Sequence, residues 1–296
     1  MRNIKYLLAT VASVTMLYAC GSKNNPDNPN PNPNPEKAVV DAPKDPKPSS
    51  TSFDRKVFLA DFTGTDCMYC PAMTKSLKSV LAKSAYSKKA ILTVVHTYNS
   101  DDPAYIDTNL KTVMGVKSYP TLTANLNKSS ILVSNDVSDI NVQQFIDGAV
   151  GNAAAVAGVA ANSKLDEGKL YVRVNVKAAT SDPKEFRVAV WILEDGIYGK
   201  QKNAPDESYN THDNCVRAIV GNTTGNNFYG VTLEPSNIAA GEIGDRTFAI
   251  ELSDNWIKSN LKYAVVVSVP NDNGTFEVCN ADVAKIGESI SYNYTK

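Results

Sequence analysis

The stretch VFLADFTGTDCMYCP, residues 57–71, decides the fold of the first half of the chain. An apolar run of strand character at 57–62 is followed within five residues by the cysteine pair Cys67 and Cys70. A helical pattern starts directly after the pair. Unsatisfied amide groups and the helix macrodipole at such a helix start stabilise a thiolate. The stretch therefore predicts a strand that delivers a thiol–disulfide site to the N-terminus of a helix.

The N-terminus predicts export and lipidation. Arg2 and Lys5 precede a short apolar stretch, and residues 17–21 read LYACG. The apolar stretch is shorter than the roughly 20 residues of a membrane-spanning helix, which indicates a signal peptide over 1–19. LYACG resembles the bacterial lipobox, which implies that Cys20 becomes the lipidated first residue and ties the chain to a membrane. An ordinary signal peptide with a chance cysteine is the alternative.

The charge of the chain excludes one class of partner. Thirty Lys and Arg stand against 31 Asp and Glu, and the basic residues form no cluster. Such a chain lacks the electrostatic footprint of a nucleic-acid binder. A zinc site at the cysteine pair would need further ligands, but neither His96 nor His212 has ligand spacing with a cysteine. The sequence therefore predicts no nucleic acid, no metal and no cofactor.

The composition changes twice along the chain. Residues 20–52 are rich in Pro, Asn and Lys and almost free of apolar residues, so they predict a disordered tether with polyproline II character. Residues 53–152 alternate strand and helix patterns in the order β-α-β-α-β-β-α. The predicted strands cover 57–63, 90–97, 121–126 and 130–134. Three helices are predicted. The first follows Cys67, the second opens at Asp102-Pro103 and ends near Gly115, and the third ends at Gly151.

The pattern after Gly151 has period two. Strands are predicted at 170–177, 186–193, 215–220, 247–252, 263–269 and 275–279, separated by loops rich in Gly, Asn and Asp. No helical window of convincing length interrupts them. Residues 153–296 are therefore predicted to form an all-β sandwich of immunoglobulin-like type, which makes this a two-domain chain.

The remaining cysteines, Cys215 and Cys279, lie in two of these predicted strands. Exported proteins mature where disulfides are permitted, and secreted domains commonly contain such a cross-link. We therefore predict a structural disulfide between them. Two separately buried thiols are the alternative.

The first folded domain resembles thioredoxin in three separate features. Asp61 lies six residues before Cys67, the C-x-x-C pair occupies the active-site position, and Tyr119-Pro120-Thr121 matches the family's conformationally special proline, normally cis. The resemblance implies that Cys67 is the exposed attacking thiolate and Cys70 the resolving thiol. It also implies that Asp61 is the buried proton acceptor for Cys70 and that Pro120 borders the substrate groove.

Further roles follow from the same resemblance. Met68, Tyr69 and Tyr119 would line the substrate groove, and His96 falls where many thioredoxins place a lysine facing the buried acid, as in a relay with Asp61. A histidine satisfied by the backbone is the alternative for His96. Asp66 replaces the family's usual tryptophan, and its carboxylate opposes the helix terminus in setting the pKa of Cys67, so the redox direction stays open.

The second domain is similar to the Omp28-related outer-membrane lipoproteins of Bacteroidetes. The segments that match are VWILEDGI at 190–197, YNTHDNCVR at 209–217, VVVSVP at 265–270 and FEVCNA at 276–281. The similarity implies an outer-membrane lipoprotein of the cell envelope, facing either the periplasm or the outside. His212 and Arg217 in the second segment are interpreted as structural loop and strand residues.

Two functions remain open from the sequence. The leading hypothesis is thiol–disulfide exchange with protein thiols and disulfides of the envelope, an oxidoreductase activity. The second is a non-catalytic surface binding or adhesion lipoprotein in which both domains are scaffolds and loops such as 195–213 make the contacts. The oligomeric state is open in both.

Overall fold

A computed structural model describes residues 37–133, 137–221, 228–271 and 273–296. The predicted signal peptide, the predicted lipidation site Cys20 and the tether as far as residue 36 lie outside these ranges. No helix in the described ranges is long and apolar enough to cross a membrane.

The first half of the described chain alternates strands and helices around the quoted stretch. Pro71 stands in the first turn of α1, where its missing amide hydrogen costs nothing, and Ser138 caps α4 by accepting the amide hydrogen of Asn141. Gly151 ends α4 at a φ of 63°. The strands are β1 Val57–Thr63, β2 Ala90–His96, β3 Thr121–Ala124 and β4 Asn127–Val133, and the helices are α1 Cys70–Leu81, α2 Ser84–Ser87, α3 Leu110–Val113 and α4 Asp139–Val150.

The second half is built from strands, with two 3-10 turns at Glu207–Asn210 and Lys258–Asn260. The prediction of a β-rich second half is confirmed, although β5, β11 and the short pair β8 and β9 were not predicted. The strands are β5 Ala157–Asp166, β6 Lys169–Ala178, β7 Lys184–Glu194, β8 Ile197–Tyr198, β9 Thr211–His212, β10 Cys215–Val220, β11 Val231–Ile238, β12 Ile243–Glu251, β13 Leu261–Pro270 and β14 Phe276–Lys285.

One large sheet runs through both halves. The strand order along its main path is β4-β3-β1-β2-β10-β7-β11-β12-β6-β5. Two further strands lie off this path: β13 pairs with β7, and β14 pairs with β13. The halves meet where β10 pairs in parallel with β2, and the Val94 amide donates to the Asn214 carbonyl at 2.9 Å. The segments 53–152 and 153–296 therefore share backbone hydrogen bonds as well as side-chain contacts.

The central strand β7 is buried on both faces, as its continuous apolar run indicates. One face, with Val188 and Val190, packs in the core formed with β5, β6, β12 and β13. The other face, with Trp191, packs against β1, where the rings of Trp191 and Phe58 meet edge to face at 4.8 Å. Strands of the second half thus cover one face of β1, while α1 and α4 cover the other.

This packing explains why a predicted helix is short. The helix expected from Asp102-Pro103 to Gly115 is reduced to α3, the four residues Leu110–Val113. Asp102 uses its carboxylate in a local turn, where it accepts the amide hydrogen of Ala104 at 2.8 Å. Side chains of β7, β13 and β14 already bury that face of β1, so a long helix is not required to bury it.

The segment 37–52, predicted as part of the disordered tether, is instead packed on the second half. Lys177, with 1% of its side chain exposed, donates from Nζ to Asp45 Oδ2 at 2.9 Å and to the Pro48 carbonyl at 2.7 Å. Tyr294 donates its hydroxyl hydrogen to the same carboxylate. A buried lysine that keeps its charge needs such a partner set, and this set holds the segment in place.

Candidate dithiol site

The site centres on a disulfide between Cys67 and Cys70 at the N-terminus of α1. The Cys67 amide donates to the Gly64 carbonyl at 3.0 Å, which closes the turn between β1 and the helix. Both cysteines are buried, Cys67 with 2% and Cys70 with 1% of the residue exposed. The expectation of an exposed Cys67 is therefore wrong for this structure.

A loop from the second half covers the disulfide. We call residues 199–203, between β8 and β9, the cover loop. Gln201 is buried, and its amide Nε2 donates to the carbonyls of Cys67 at 3.0 Å and Thr65 at 3.1 Å. The Lys202 amide donates to the Thr65 carbonyl at 2.7 Å. Asn203 Nδ2 donates to the Met68 carbonyl at 3.1 Å. These bonds hold the loop against the turn that carries Cys67.

The cover loop needs glycine at its first position. A Cβ on Gly199 would lie 2.9 Å from Cγ2 of Thr65, closer than real Cβ atoms come to a neighbour. The Gly199 amide donates to the Asn210 carbonyl at 2.9 Å, and Asn210 Oδ1 accepts the Gln201 amide hydrogen at 2.9 Å. The close approach and these two bonds aim the Gln201 side chain at the cysteine turn.

Two residues of the predicted substrate groove are exposed beside the buried disulfide. Met68 and Tyr69, between the cysteines, are 45% and 65% exposed. The third, Tyr119, is half-buried and packs edge to face on Tyr98 with ring centroids 5.2 Å apart. The Tyr119–Pro120 peptide bond is cis, and Pro120 is buried. The surface around the disulfide is therefore apolar and aromatic although the sulfurs themselves are covered.

Asp61 on β1 is buried on the α1 side of the sheet, with 2% of the residue exposed. Its Oδ1 has no hydrogen-bond partner within the described chain. Burial raises the pKa of Asp61 to about 7, because a carboxylate without compensating donors is poorly solvated. Asp61 is therefore a carboxyl group that exchanges its proton near neutral pH.

His96 pairs with a different acid from the one predicted. Its Nδ1 lies 2.8 Å from Oδ2 of Asp102, and both side chains are fully buried. Asp102 also accepts the Thr65 amide hydrogen at 2.7 Å. Burial raises the pKa of Asp102, but the hydrogen bond and charge of His96 and the backbone amides outweigh it and hold the pKa at about 2. The pair anchors the turn before Cys67, and Asp61 is not part of it.

The predicted disulfide between Cys215 and Cys279 is not formed, and both are free buried thiols. Cys215 Sγ lies 3.7 Å from Nε2 of His96, whereas Cys279 Sγ donates to the Val267 carbonyl at 3.4 Å within the core of the second half. Cys279 lies in the core of the second half, whereas Cys215 lies against His96 where β10 meets β2, which explains why they do not bond. Burial raises the pKa of both thiols, that of Cys279 to about 12, so neither is a ready nucleophile.

These thiols give a direct test of the cysteine assignment. When the oxidised protein is denatured without reductant and alkylated, we expect label on Cys215 and Cys279 and none on Cys67 or Cys70. Mass mapping of the peptides reads out the result. Under native conditions the two buried thiols should stay unlabelled, because thiolates are disfavoured and access is blocked. A peptide linking Cys215 to Cys279 would contradict the assignment.

Sequence reasoning missed the residues that cover and anchor the site. Gln201 lies 134 residues from Cys67, and no local pattern connects the two positions. The pairing of His96 with Asp102, six residues apart, had a signal in the sequence, but Asp102 was interpreted as a helix cap. No group of three or more His, Cys, Asp or Glu side chains in the described ranges could hold a metal ion.

Comparison with known proteins identifies relatives of the chain. HBP35 of Porphyromonas gingivalis has a similar structure, with a TM-score of 0.64 and 18% identity over 83% of this chain and 79% of that one. At this identity the similarity concerns the fold alone. A domain of the outer membrane lipoprotein Omp28 from the same organism matches 45% of this chain and 89% of that one at 20% identity, with a TM-score of 0.27. No curated protein matches.

The family assignment rests on a family model. The model of the outer membrane protein Omp28 matches residues 107–290, which is more than half of the chain and includes the cover loop, His212 and Cys215. The resemblance in the segments at 190–197 and 209–217 is thereby confirmed. The chain belongs to the family of the outer membrane protein Omp28.

Proposed function

We propose that this protein exchanges disulfides with protein partners in the cell envelope through Cys67 and Cys70, anchored to the membrane by a lipid on Cys20. The observation that carries the proposal is the disulfide at the N-terminus of α1, on the helix that covers the buried, unpartnered Asp61. A helix N-terminus stabilises a thiolate, and a protonated acid nearby can supply the proton that a leaving thiolate needs.

The proposal treats residues 53–152 as a thioredoxin-like domain and 153–296 as the domain that covers its site. The order of β1, α1, β2, β3, β4 and α4, the disulfide after β1 and the cis Pro120 before β3 support this division. Because the two segments share the sheet and the Trp191 cluster, we expect them to fold together.

The exchange reaction balances as follows. A thiolate of a partner dithiol attacks Sγ of Cys67, the bond between Cys67 and Cys70 breaks, and Cys70 leaves as a thiolate that takes a proton. The partner's second thiol then attacks the mixed disulfide, and Cys67 leaves. Two electrons pass from the partner dithiol to the disulfide, which yields an oxidised partner and a reduced protein.

The proposed reaction predicts a trapped intermediate. In a Cys70→Ser variant, Cys67 attacks partner disulfides but nothing resolves the product, so mixed disulfides should accumulate in the envelope. Non-reducing electrophoresis before and after reductant reads them out. Cys67→Ser is the matched control, since it removes the attacking thiol and leaves only Cys70, which is buried. Equal adducts in both variants, or none in either, would overturn the exchange function.

The burial of both sulfurs favours a second candidate, a binding lipoprotein in which the disulfide is structural. The exposed Tyr198, Met68 and Tyr69 would then belong to a contact surface. Equilibration with glutathione separates the two functions. A reduction potential below about −300 mV favours the structural disulfide, whereas one in the range of known oxidoreductases favours exchange.

A further inference from the structure

A small cavity lies between α1 and the segment that leads into β10. Its volume is about 120 Å³. That volume is enough to admit water, and the polar side chains among the lining residues offer water hydrogen-bond partners. The lining residues include Asp61 and Thr63 from β1, Thr74 and Lys78 from α1, and Tyr209 and His212 from the second half.

The cavity connects the disulfide helix to the orphaned acid. Thr74 lies one helical turn after Cys70 on the same face of α1, and its Oγ1 donates to the Cys70 carbonyl at 3.3 Å. Asp61 forms part of the cavity wall and carries the unpartnered Oδ1. Buried carboxyl oxygens normally have a partner, so an oxygen left without one in the cavity wall points to a partner that enters the cavity.

His212 is the titratable ring on the opposite wall. Its Nε2 lies 2.9 Å from the Gly199 carbonyl, so Nε2 carries the hydrogen and the neutral ring keeps Nδ1 as an acceptor. The ring meets that of His96 edge to face at 5.0 Å. Burial and the neighbouring His96 lower the pKa of His212. Protonated His212 is therefore a readier proton donor than a free imidazolium, and burial makes the Asp61 carboxylate a better proton acceptor than a free carboxylate.

The charged groups near His212 act on its protonation in both directions. Asp102, which lies behind His96, favours protonation, and Lys78, exposed on α1, opposes it from the cavity side. Asp213 is exposed at the rim and accepts the Gly196 amide hydrogen at 2.9 Å. Tyr209 completes the wall and lies under the ammonium group of Lys78, 5.5 Å from the ring centroid. The rim is therefore open to solvent protons while Asp61 stays buried.

We infer that His212 is a positioning residue for the dithiol chemistry. It supplies a proton to Asp61 through the cavity each time the Cys67–Cys70 disulfide is opened. The inference rests on the proposed function. When Cys70 leaves as a thiolate, it takes the proton of Asp61. In the same step Asp61 takes a proton from the His212 imidazolium through water in the cavity, and His212 afterwards takes one from solvent. No electron passes through His212, and the protons balance.

The test is the rate at which dithiothreitol reduces the disulfide of the full chain. The rate is measured across pH 5.5 to 9, at dithiothreitol concentrations over which it rises linearly, so that the chemical step contributes to it. At each pH the rate of a variant is expressed relative to the rate of the native sequence. We expect His212→Ala to slow reduction about tenfold, below the ~10²–10⁴-fold of a direct acid–base group. His212→Gln, which keeps an amide hydrogen for the Gly199 carbonyl, should slow it equally.

Two controls separate proton transfer from packing. Added imidazole should restore the rate of His212→Ala, whereas pyrazole, of similar shape but a much weaker base, should not. In an Asp61→Asn background, the His212→Ala change should have no further effect, because the acceptor is gone. Native rates in both His212 variants, or equal rescue by pyrazole and imidazole, would overturn the inference.

The dithiothreitol assay needs no cellular partner. A failure to trap mixed disulfides together with imidazole rescue would therefore overturn the exchange function and leave the His212 inference standing. Successful trapping with native reduction rates in the His212 variants would overturn the inference alone.

Discussion

Asparagine in place of Asp61 is expected to stabilise the protein by about 4 kcal/mol at pH 8 and hardly at all at pH 4. The pKa of Asp61 is raised from 3.8 to about 7 in the folded protein by burial. Below pH 3.8 the acid is protonated in both the folded and the unfolded state, so it costs nothing. Between pH 3.8 and 7 only the unfolded chain releases the proton, and the free energy of unfolding falls by about 1.4 kcal/mol per pH unit.

Urea denaturation of the oxidised protein at several pH values measures this difference. Asp61→Asn removes the ionisable group while keeping its size, so its advantage should grow between pH 4 and 7 and then stay constant. Asp66→Asn is the matched control, since Asp66 is exposed and lies on the turn that follows the strand of Asp61. A stability difference independent of pH would show that Asp61 is not a buried acid with a raised pKa.

Alanine in place of Gln201 is expected to speed reduction of the Cys67–Cys70 disulfide by about ten- to a hundredfold. Gln201 donates its two amide hydrogens to the carbonyls of Thr65 and Cys67, and each such bond contributes ~0.5–1.5 kcal/mol to the closed loop. A loss of ~1.5–3 kcal/mol from the free energy of loop closing raises the fraction of molecules with an open loop by about ten- to a hundredfold. The readout is the rate of reduction by dithiothreitol at fixed pH.

The control for this change is another glutamine. Gln143 lies on α4 and accepts the Tyr86 hydroxyl hydrogen at 3.4 Å, away from the disulfide, so Gln143→Ala should leave the rate unchanged. Thermal denaturation of both variants checks that the fold is intact. Equal reduction rates for Gln201→Ala and the native sequence would mean that the cover loop does not control access to Cys67.

Control of access matters for the proposed function. A covered disulfide that is opened by movement of the cover loop reacts with partners that displace the loop and resists small reductants in the envelope. The exposed side chains Met68, Tyr69 and Tyr198 around the loop give such a partner apolar contacts before the sulfurs are reached. The second half of the chain is therefore part of the site, because it supplies the loop and His212.

Local elements were predictable because their signals are local. β1 and the start of α1 follow from the apolar run and the cysteine spacing at 57–71, and α4 ends at Gly151 as its φ of 63° requires. The helix after Asp102 was predicted too long, since an Asp-Pro pair also begins a turn. β5 and β11 were not predicted because β5 begins with the small residues AGVAA and β11 contains Pro235, so neither shows a regular alternation.

The sequence by itself determined the strand, the turn and the helix that carry Cys67 and Cys70, the β-rich second half and the family. These depend on residue spacing over a few positions, where backbone geometry repeats. Only the tertiary structure decided that the disulfide is covered, that His96 pairs with Asp102, that Cys215 and Cys279 stay apart, and that Asp61 and His212 share a cavity. The covering of the disulfide and the shared cavity form when β10 joins β2 and brings together side chains more than a hundred residues apart, and such distances leave no periodic signal in a single sequence.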